Sequence, residues 1–589
     1  MNLSYESKKR LLFVLFLFLL SWIIYMNSID NRMQWDDINL LMDNPRYMDI
    51  SLKNIKGLIS FDQLPLFIPS FFWMLDYKIK QNNPSVYRIS QLFLHSFAVI
   101  AFFFLILNIT DDKKRAFLSA LFFSIHPIQT EAVLSITNRA VILFSIFTFS
   151  SLIFFWKFLK ENRISLLIFS LILYFCSILS LEFLPLTFLL ILLIQFLAKR
   201  RSLIASFLFL LINIFGIFLW LFVKKSPLSE VNIFGYFYYL TDILKLVIFP
   251  FNLNVQHKPY PYFSIETIVT FLIILALIAG IWFFRKNRIV VFGISWYLLM
   301  ILPFWGATYT VEAKSYLAFG GIAILFGILM SKLFNSTRRK DLVIIFISII
   351  FVVMSGLTYA RVKTWSNIFS LWEDSLKKNP ENPKAFFNIG IYYMMKNQDY
   401  QKAVENLEKS ISINPENAKA YIALGLAYKG LAFFDMAYDS FEKALMLNPG
   451  DSEAYLCLGD LYASKDMIDE AEKYYKKALD LNPYDYLSSN NLALLYIKID
   501  EFDKAEKWLK KSIKINPKGF YALRNLGILY LYYKKEYEKG INYLKRSLSS
   551  HSCQYQAYFI ERIIKEPDKS KILKRIELEL LLAKKELPG

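Results

Sequence analysis

Leu11-Leu12-Phe13-Val14-Leu15-Phe16-Leu17-Phe18-Leu19-Leu20-Ser21-Trp22-Ile23-Ile24-Tyr25, behind Lys8-Lys9-Arg10, decides how the chain is to be read. A basic start and an apolar run suit either a secretory signal or a membrane span. A signal has a shorter core and a small-residue cleavage site, whereas this run continues through Trp22 to Tyr25 without one. It reads as an uncleaved first span. Further runs of spanning length lie near 88 to 108, 116 to 133, 140 to 157, 164 to 180, 183 to 198, 202 to 223, 264 to 284, 289 to 306, 315 to 334 and 341 to 360. Together they predict a polytopic helical bundle of about eleven spans over residues 1–360.

Composition agrees: 56% of the 589 residues are hydrophobic and 17% aromatic, with 55 Phe, too apolar for an ordinary soluble protein. The net charge of +19 does not point to nucleic acid, which needs basic residues gathered on a folded face. Many of them sit between apolar runs, and positive loops stay cytoplasmic. The clusters are Lys8–Arg10, Lys113–Arg115, Lys157–Arg163, Lys199–Arg201, Arg285–Arg288 and Arg338–Lys340. They fall at every second loop if 224–263 is wholly external, so the apolar piece 232–250 is expected to be a re-entrant or surface helix. The N-terminus is then cytoplasmic. The outer side receives 28–87, 126–138, the turn at Glu182, 224–263, the loop around Glu312 and everything after 360. In the first outer loop Phe61–Lys80 carries Phe67, Phe71, Phe72, Trp73, Leu75 and Tyr77 beside Pro65 and Pro69. This stretch is either an interfacial helix at the headgroup level or a lid on the bundle.

After a linker helix at 361–379 a repeat begins. Gly425, Gly459, Ala493 and Gly527 recur every 34 residues, as do Pro415, Pro449, Pro483 and Pro517. That period is the signature of tetratricopeptide repeats. One copy reads Tyr421, Leu424, Gly425, Tyr428, Ala437, Phe441, Ala444, Pro449, and the next Tyr455, Leu458, Gly459, Tyr462, Ala471, Tyr475, Ala478, Pro483. Small residues let two antiparallel helices approach, aromatics fill the space between repeats, and proline ends the second helix. Gly390 opens a first copy with one inserted residue, giving five repeats over 380–550 and a capping helix with a charged tail over 551–589. The fold class is therefore all-α, a membrane bundle followed by a solenoid whose concave groove suits an extended peptide or protein.

Cys176, Cys457 and Cys553 form no CxxC, and His95, His126, His257 and His551 no HExxH spacing, so neither a disulfide framework nor a zinc site is expected. No resident cofactor is implied. A lone divalent ion held by Asp36, Asp37 and a substrate phosphate stays compatible with the sequence.

The candidate chemistry gathers on the predicted outer face. Asp36 and Asp37 follow the first span. His126-Pro127-Ile128-Gln129-Thr130-Glu131-Ala132-Val133 forms an outer connection, Asn138-Arg139 opens the next span, and Glu182 sits in an apolar hairpin. Each has a plain structural explanation: Asp36 or Asp37 as a helix cap, His126 satisfied by backbone, Arg139 snorkelling. As a set they are costly at membrane depth and suggest function. A carboxylate can take a proton from a hydroxyl, and an Arg assisted by a His can hold a phosphate leaving group. The pattern suits glycosyl transfer from a lipid-linked sugar.

The order of parts resembles the transmembrane and TPR-containing O-mannosyltransferases and their prokaryotic relatives, within the glycosyltransferase C superfamily. The similar motifs are Trp35-Asp36-Asp37 with Asn44-Pro45; Pro65-Leu66; Leu75-Asp76-Tyr77; Asn83-Pro84 with Tyr87; His95; His126-Pro127 with Thr130-Glu131-Ala132-Val133 and Arg139; Glu182; and Glu312 with Tyr316. The resemblance implies a dolichyl- or polyprenyl-phosphate sugar donor, Asp36 or Asp37 as base, and inverting transfer to a hydroxyl. It implies mannose or another hexose on Ser or Thr of an extracytoplasmic protein. Cations usual in the family are replaced by Leu64 and Leu181, its Asp by Val141, and Glu312 is followed by Ala313 and Lys314. Donor contacts then fall to His126, Glu131, Arg139, Glu182, Glu312, Lys314, Arg88 and His95. The alternatives are a non-enzymatic membrane-anchored TPR scaffold, or a transferase acting on a glycan or lipid.

Overall fold

The computed structural model describes residues 5–31, 47, 50–60, 63–80, 83–180, 186–223, 235–255, 257, 265–302, 311–517 and 519–550, and within them every regular element is helical. Asp36, Asp37, Glu182 and the expected capping helix at 551–589 lie outside these residues. The chain divides into two compact units, Met1–Pro380 and Glu381–Gly589.

Among the described residues of the first unit six helices are long and apolar enough to cross a membrane: Lys8–Ser28, Pro84–Thr110, Arg139–Glu161, Leu203–Leu221, Glu312–Ser336 and Lys340–Thr364. Four shorter apolar helices accompany them, Ile164–Ile178, Phe188–Ala198, Ile268–Phe283 and Arg288–Ile301. The run expected as one span at 116 to 133 is instead two helical pieces, Lys113–Ile125 and Pro127–Leu134, bent by 55°. The cause is local. Pro127 has no N–H to continue the helix and drives the residue before it out of the α region, and His126 duly sits at φ −70°, ψ 131°.

Helix Phe67–Lys80 behaves as a lid: Trp73, Met74, Asp76 and Tyr77 are buried, and Trp73 Nε1 donates to the Ile136 carbonyl at 3.3 Å. Gly235–Ile248 has 14 residues, short of spanning length, and is bound into the bundle by Tyr239 Oη on the Val311 carbonyl and Tyr297 Oη on the Leu240 carbonyl, each 2.7 Å.

Charge separates along the bundle. At one end Lys114 and Lys340 both lie over the Phe334 ring, Arg200 Nη1 donates to the Leu159 carbonyl at 2.6 Å, and Arg288 Nη1 donates to the Phe196 carbonyl at 2.9 Å. At the other end the helix termini carrying Asn31, Arg88, Arg139, Glu312 and Arg361 converge. Among the described residues, polar side chains of the suspected site thus share one end and the basic clusters the other.

Membrane helices gain little from the hydrophobic effect against one another and pack closely through small residues. A Cβ on Gly321 would stand 2.5 Å from the Gly293 carbonyl, and one on Gly327 2.8 Å from the Arg115 carbonyl, whereas one on Gly356 would meet nothing within 4 Å. Gly327→Ala is therefore expected to destabilise by about 1–3 kcal/mol through overpacking while Gly356→Ala is neutral. Thermal unfolding of the two variants in detergent checks the contrast.

Among its described residues the second unit is five antiparallel helix pairs. Their first helices begin at Pro383, Ala418, Ser452, Tyr486 and Phe520, their second at Tyr400, Phe434, Ile468, Phe502 and Tyr537. The glycines sit where the sequence requires closeness: a Cβ on Gly425 would be 2.5 Å from Phe441, and one on Gly459 2.5 Å from Tyr475. The inserted residue of the first copy is absorbed as a π-helical turn at Tyr393–Asn397, and the last repeat has the same device at Leu529–Tyr533. One extra residue in a helix is what such a turn accommodates. Gly390 to Tyr400 and Gly527 to Tyr537 are each one residue longer than Gly425 to Phe434.

Neighbouring repeats are stitched by a recurring bond. Tyr428 donates to Glu408, Tyr496 to Glu472 and Tyr530 to Glu506, at 2.7, 2.7 and 2.6 Å. Partial burial pushes the Glu506 carboxyl up, but bonds from Lys510, Lys534 and Tyr530 outweigh it and bring the group down to about 2. A carboxyl lowered on folding from 4.5 stabilises fully above that value and loses its contribution as pH falls toward 2. Glu506→Gln should therefore lower the solenoid's stability at pH 7 and flatten its acid-side decline between pH 5 and 2 (approximate limits). Amide exchange of residues 502–550 at several pH values reads this directly.

Candidate active site

The broken span is the hub of the polar end. The bend at His126-Pro127 and the early end of the short helix at Leu134 leave backbone carbonyls out of helical pairing, and side chains from two other helices reach in to meet them. Thr358 Oγ1 donates to Ile125 at 2.6 Å, Gln91 Nε2 to Ala132 at 3.0 Å and Ser135 at 3.3 Å, and Arg88 Nη1 to Leu134 at 2.8 Å. Arg88 Nε also holds the Asn31 carbonyl at 2.9 Å. His95 lies fully buried between Tyr316 Oη, 2.8 Å from Nδ1, and the Ser124 carbonyl, 3.4 Å from Nε2.

His126 is wholly buried and uses both ring nitrogens. Nδ1 accepts from the Ile128 N–H at 3.2 Å, so Nε2 carries the proton and donates to the Val247 carbonyl at 3.0 Å. This neutral tautomer ties the broken span to helix Gly235–Ile248. Arg139 is also fully buried. Its Nη1 pairs with Asp76 at 2.7 Å, Nε donates to Gln91 Oε1 at 3.2 Å and Nη2 to the Tyr87 carbonyl at 3.1 Å. Burial raises the Asp76 carboxyl above the ordinary carboxylate range, and Arg139 opposes that shift.

A second group forms where the turn Glu312–Ser315 packs on the broken span. Glu131 Oε2 accepts from the Ala313 N–H at 3.0 Å. Glu312, fully buried, accepts on Oε1 from the Asn254 N–H at 2.5 Å and from His257 Nε2 at 2.8 Å. Its Oε2 lies 3.9 Å from Arg361 Nη2. Arg361 is paired in turn with Asp374, 2.7 Å, which also binds Lys378 at 2.6 Å. Burial lowers the Lys378 ammonium, with Arg361 adding to the shift and Asp374 opposing it. Lys314 is exposed on the same turn as Glu312.

The structure therefore brings Arg88 directly, and Arg139 through Gln91, onto the carbonyls of residues 132–135, and joins Glu131 to the Glu312 turn through the Ala313 N–H. Asp76, Gln91, His257, Arg361 and Asp374 were not singled out as site residues from sequence. Asp76 was visible in its motif, but a lone His in an outer segment and an Arg just past the last span carry no spacing signal.

Comparison with known proteins adds the family context. Models described as tetratricopeptide repeat match residues 418–451, 452–485 and 488–518, and one described as TPR repeat matches 394–431. A protein O-mannosyl-transferase of Caenorhabditis elegans is 27% identical over 416 residues, covering 64% of this chain and 59% of the relative. The chain resembles the protein O-mannosyl-transferases. One from Mus musculus is 32% identical over 94 residues, covering 16% of this chain and 10% of its own. The chain thus spans 59% of the length of the worm relative. Among solved structures, MamA is 26% identical with a TM-score of 0.24, covering 28% of this chain and 94% of its own.

The Arg139–Asp76 pair makes a quantitative prediction. Removing one partner of a buried pair leaves an unmatched charge and costs about 3–5 kcal/mol, whereas replacing both with apolar residues of similar volume is often near neutral. Asp76→Leu should thus destabilise far more than Asp76→Leu combined with Arg139→Met. Denaturant unfolding of the detergent-solubilised variants tests it, and equal losses would show that charge pairing is not what the site depends on.

Proposed function

We propose that the chain is an integral membrane glycosyltransferase of the protein O-mannosyltransferase kind. It takes mannose or another hexose from a polyprenyl- or dolichyl-phosphate carrier and transfers it to a hydroxyl, Ser or Thr of an extracytoplasmic protein held by the repeats. The observation that carries this reading is the similarity to a protein O-mannosyl-transferase over 416 residues. The polar end of the bundle supports it, because ionisable groups are expensive in a membrane protein and rarely gathered without use.

In this reading Asp36 or Asp37 removes the acceptor proton, the oxygen attacks C1 of the sugar from the side opposite the phosphate, and the C1–O bond breaks with its electron pair leaving on the lipid phosphate. The sugar is inverted in one displacement. Arg88 and Arg139 frame the site from within, since Arg139 is met by Asp76, Gln91 and Tyr87. Among the predicted donor cations, Lys314 is the exposed one and is assigned to the phosphate. The basic end of the bundle faces the cytoplasm, and the polar end and solenoid face outward. The tetratricopeptide repeats point to protein as the partner.

A second reading, a membrane anchor that only displays the solenoid, draws support from the internal neutralisation of Arg139. Paired substitution of Asp36 and Asp37 by Asn separates the two. Loss of a general base is expected to slow sugar release from the carrier by about 10²–10⁴-fold. Unchanged turnover would sink the assignment, and equal glycosylation of extracytoplasmic proteins with and without the chain, read by mass spectrometry, would favour the anchor.

A further inference from the structure

Glu312 and Arg361 face each other across a gap that neither closes. Glu312 Oε1 is held by Asn254 and His257, and Arg361 Nη1 by Asp374. What remains is Oε2 of the carboxylate and the Nε–Nη2 edge of the guanidinium. All three atoms are buried without a hydrogen-bond partner, and Nη2 stands 3.9 Å from Oε2. That separation is too long for a hydrogen bond. Unmet charged donors and acceptors are the most costly groups to bury, so few native structures keep them idle.

One ligand group can satisfy all three atoms if it accepts from the guanidinium edge and donates to the carboxylate. A hydroxyl does both. Placed about 2.8 Å from each side, its oxygen spans the gap at roughly a right angle. A phosphate would meet the N–H edge but would set its negative charge against Glu312 Oε2 and leave that oxygen unsatisfied. The adjoining turn points the same way: Gln129, fully buried on Pro127–Gln129, has no partner for either amide atom. That turn packs against both Glu312–Ser315 and the last span.

We propose that Glu312 Oε2 and the Nε–Nη2 edge of Arg361 form a subsite for a hydroxyl of the transferred sugar, with Gln129 supplying a second donor and acceptor beside it. This rests on the glycosyltransferase reading and names the part of the donor recognised here. No bond is made or broken at these groups. They orient the sugar by hydrogen bonds, and Asp374 is a positioning residue that fixes Arg361.

The test compares polyprenyl-phosphate-mannose with polyprenyl phosphate lacking the sugar, using the full chain in detergent. The wild type should be stabilised thermally more by the sugar-bearing carrier. In Arg361→Met and in Glu312→Gln, the latter keeping side-chain volume, the two carriers should stabilise equally. The KM for the donor should rise about ten- to a hundredfold, the cost of lost hydrogen bonds to charged groups, with Arg361→Lys in between. A sugar-dependent increment that survives in both variants overturns the subsite. So does loss of bare-carrier stabilisation in Arg361→Met, which would place the guanidinium on phosphate. A wild type that responds to neither carrier and transfers no sugar removes the functional reading itself, and the subsite with it.

Discussion

The backbone break at His126-Pro127 is the constraint on which the polar end of the membrane unit depends. In an apolar surrounding a carbonyl released from a helix must find a donor in the protein, because no solvent is there to supply one. The bent segment releases several at once. Thr358, Gln91, Arg88 and Trp73 each come from a different helix or from another turn of the same one, and each ends on a carbonyl between Ile125 and Ile136. The break at Pro127 and the end of the short helix at Leu134 thus recruit polar residues from the lid, the second long span and the last span, and fix where those elements meet.

Once recruited, the charges must be balanced. Arg139 cannot be buried beside Gln91 without a counter-charge, and the lid helix supplies Asp76. The lid is therefore joined to the bundle by an ion pair as well as by Trp73 and Tyr77. The same logic runs along the second group, where Glu312, Arg361, Asp374 and Lys378 alternate in sign from the turn after residue 311 to the helix Ile368–Lys378. Such alternation lets several charges share a confined space when any one alone would be expelled or neutralised.

Much of the fold is legible in sequence because it follows from periodicity and punctuation. The 34-residue period places the ten solenoid helices among the described residues, and even the insertion after Gly390 has its counterpart in a π turn. Alternating basic clusters anticipate the separation of charge along the bundle. The bend at residue 126 was written in Pro127 but masked by the apolar run around it, which reads as one span. The site is less legible for a different reason. Arg88, His95, His126 and Arg139 are recognisable as unusual residues in an apolar chain, yet composition cannot say whether their hydrogen bonds are met internally. Arg361 and His257 carry no motif at all, since their partners lie 49 and 55 residues away in sequence, at Glu312.

Satisfaction, more than identity, then separates frame from site. His126 and Arg139 are among the residues that carry the family resemblance, but His126 spends both ring nitrogens inside the bundle and Arg139 is held by the Asp76 carboxylate, Gln91 and the Tyr87 carbonyl, so a substrate could reach them only by breaking those contacts. Glu312 and Arg361 are equally buried and each keeps one edge unspent. In the proposed sugar subsite the cost of holding a charged donor and a charged acceptor 3.9 Å apart in a dry interior is recovered only when a group of the right chemistry arrives.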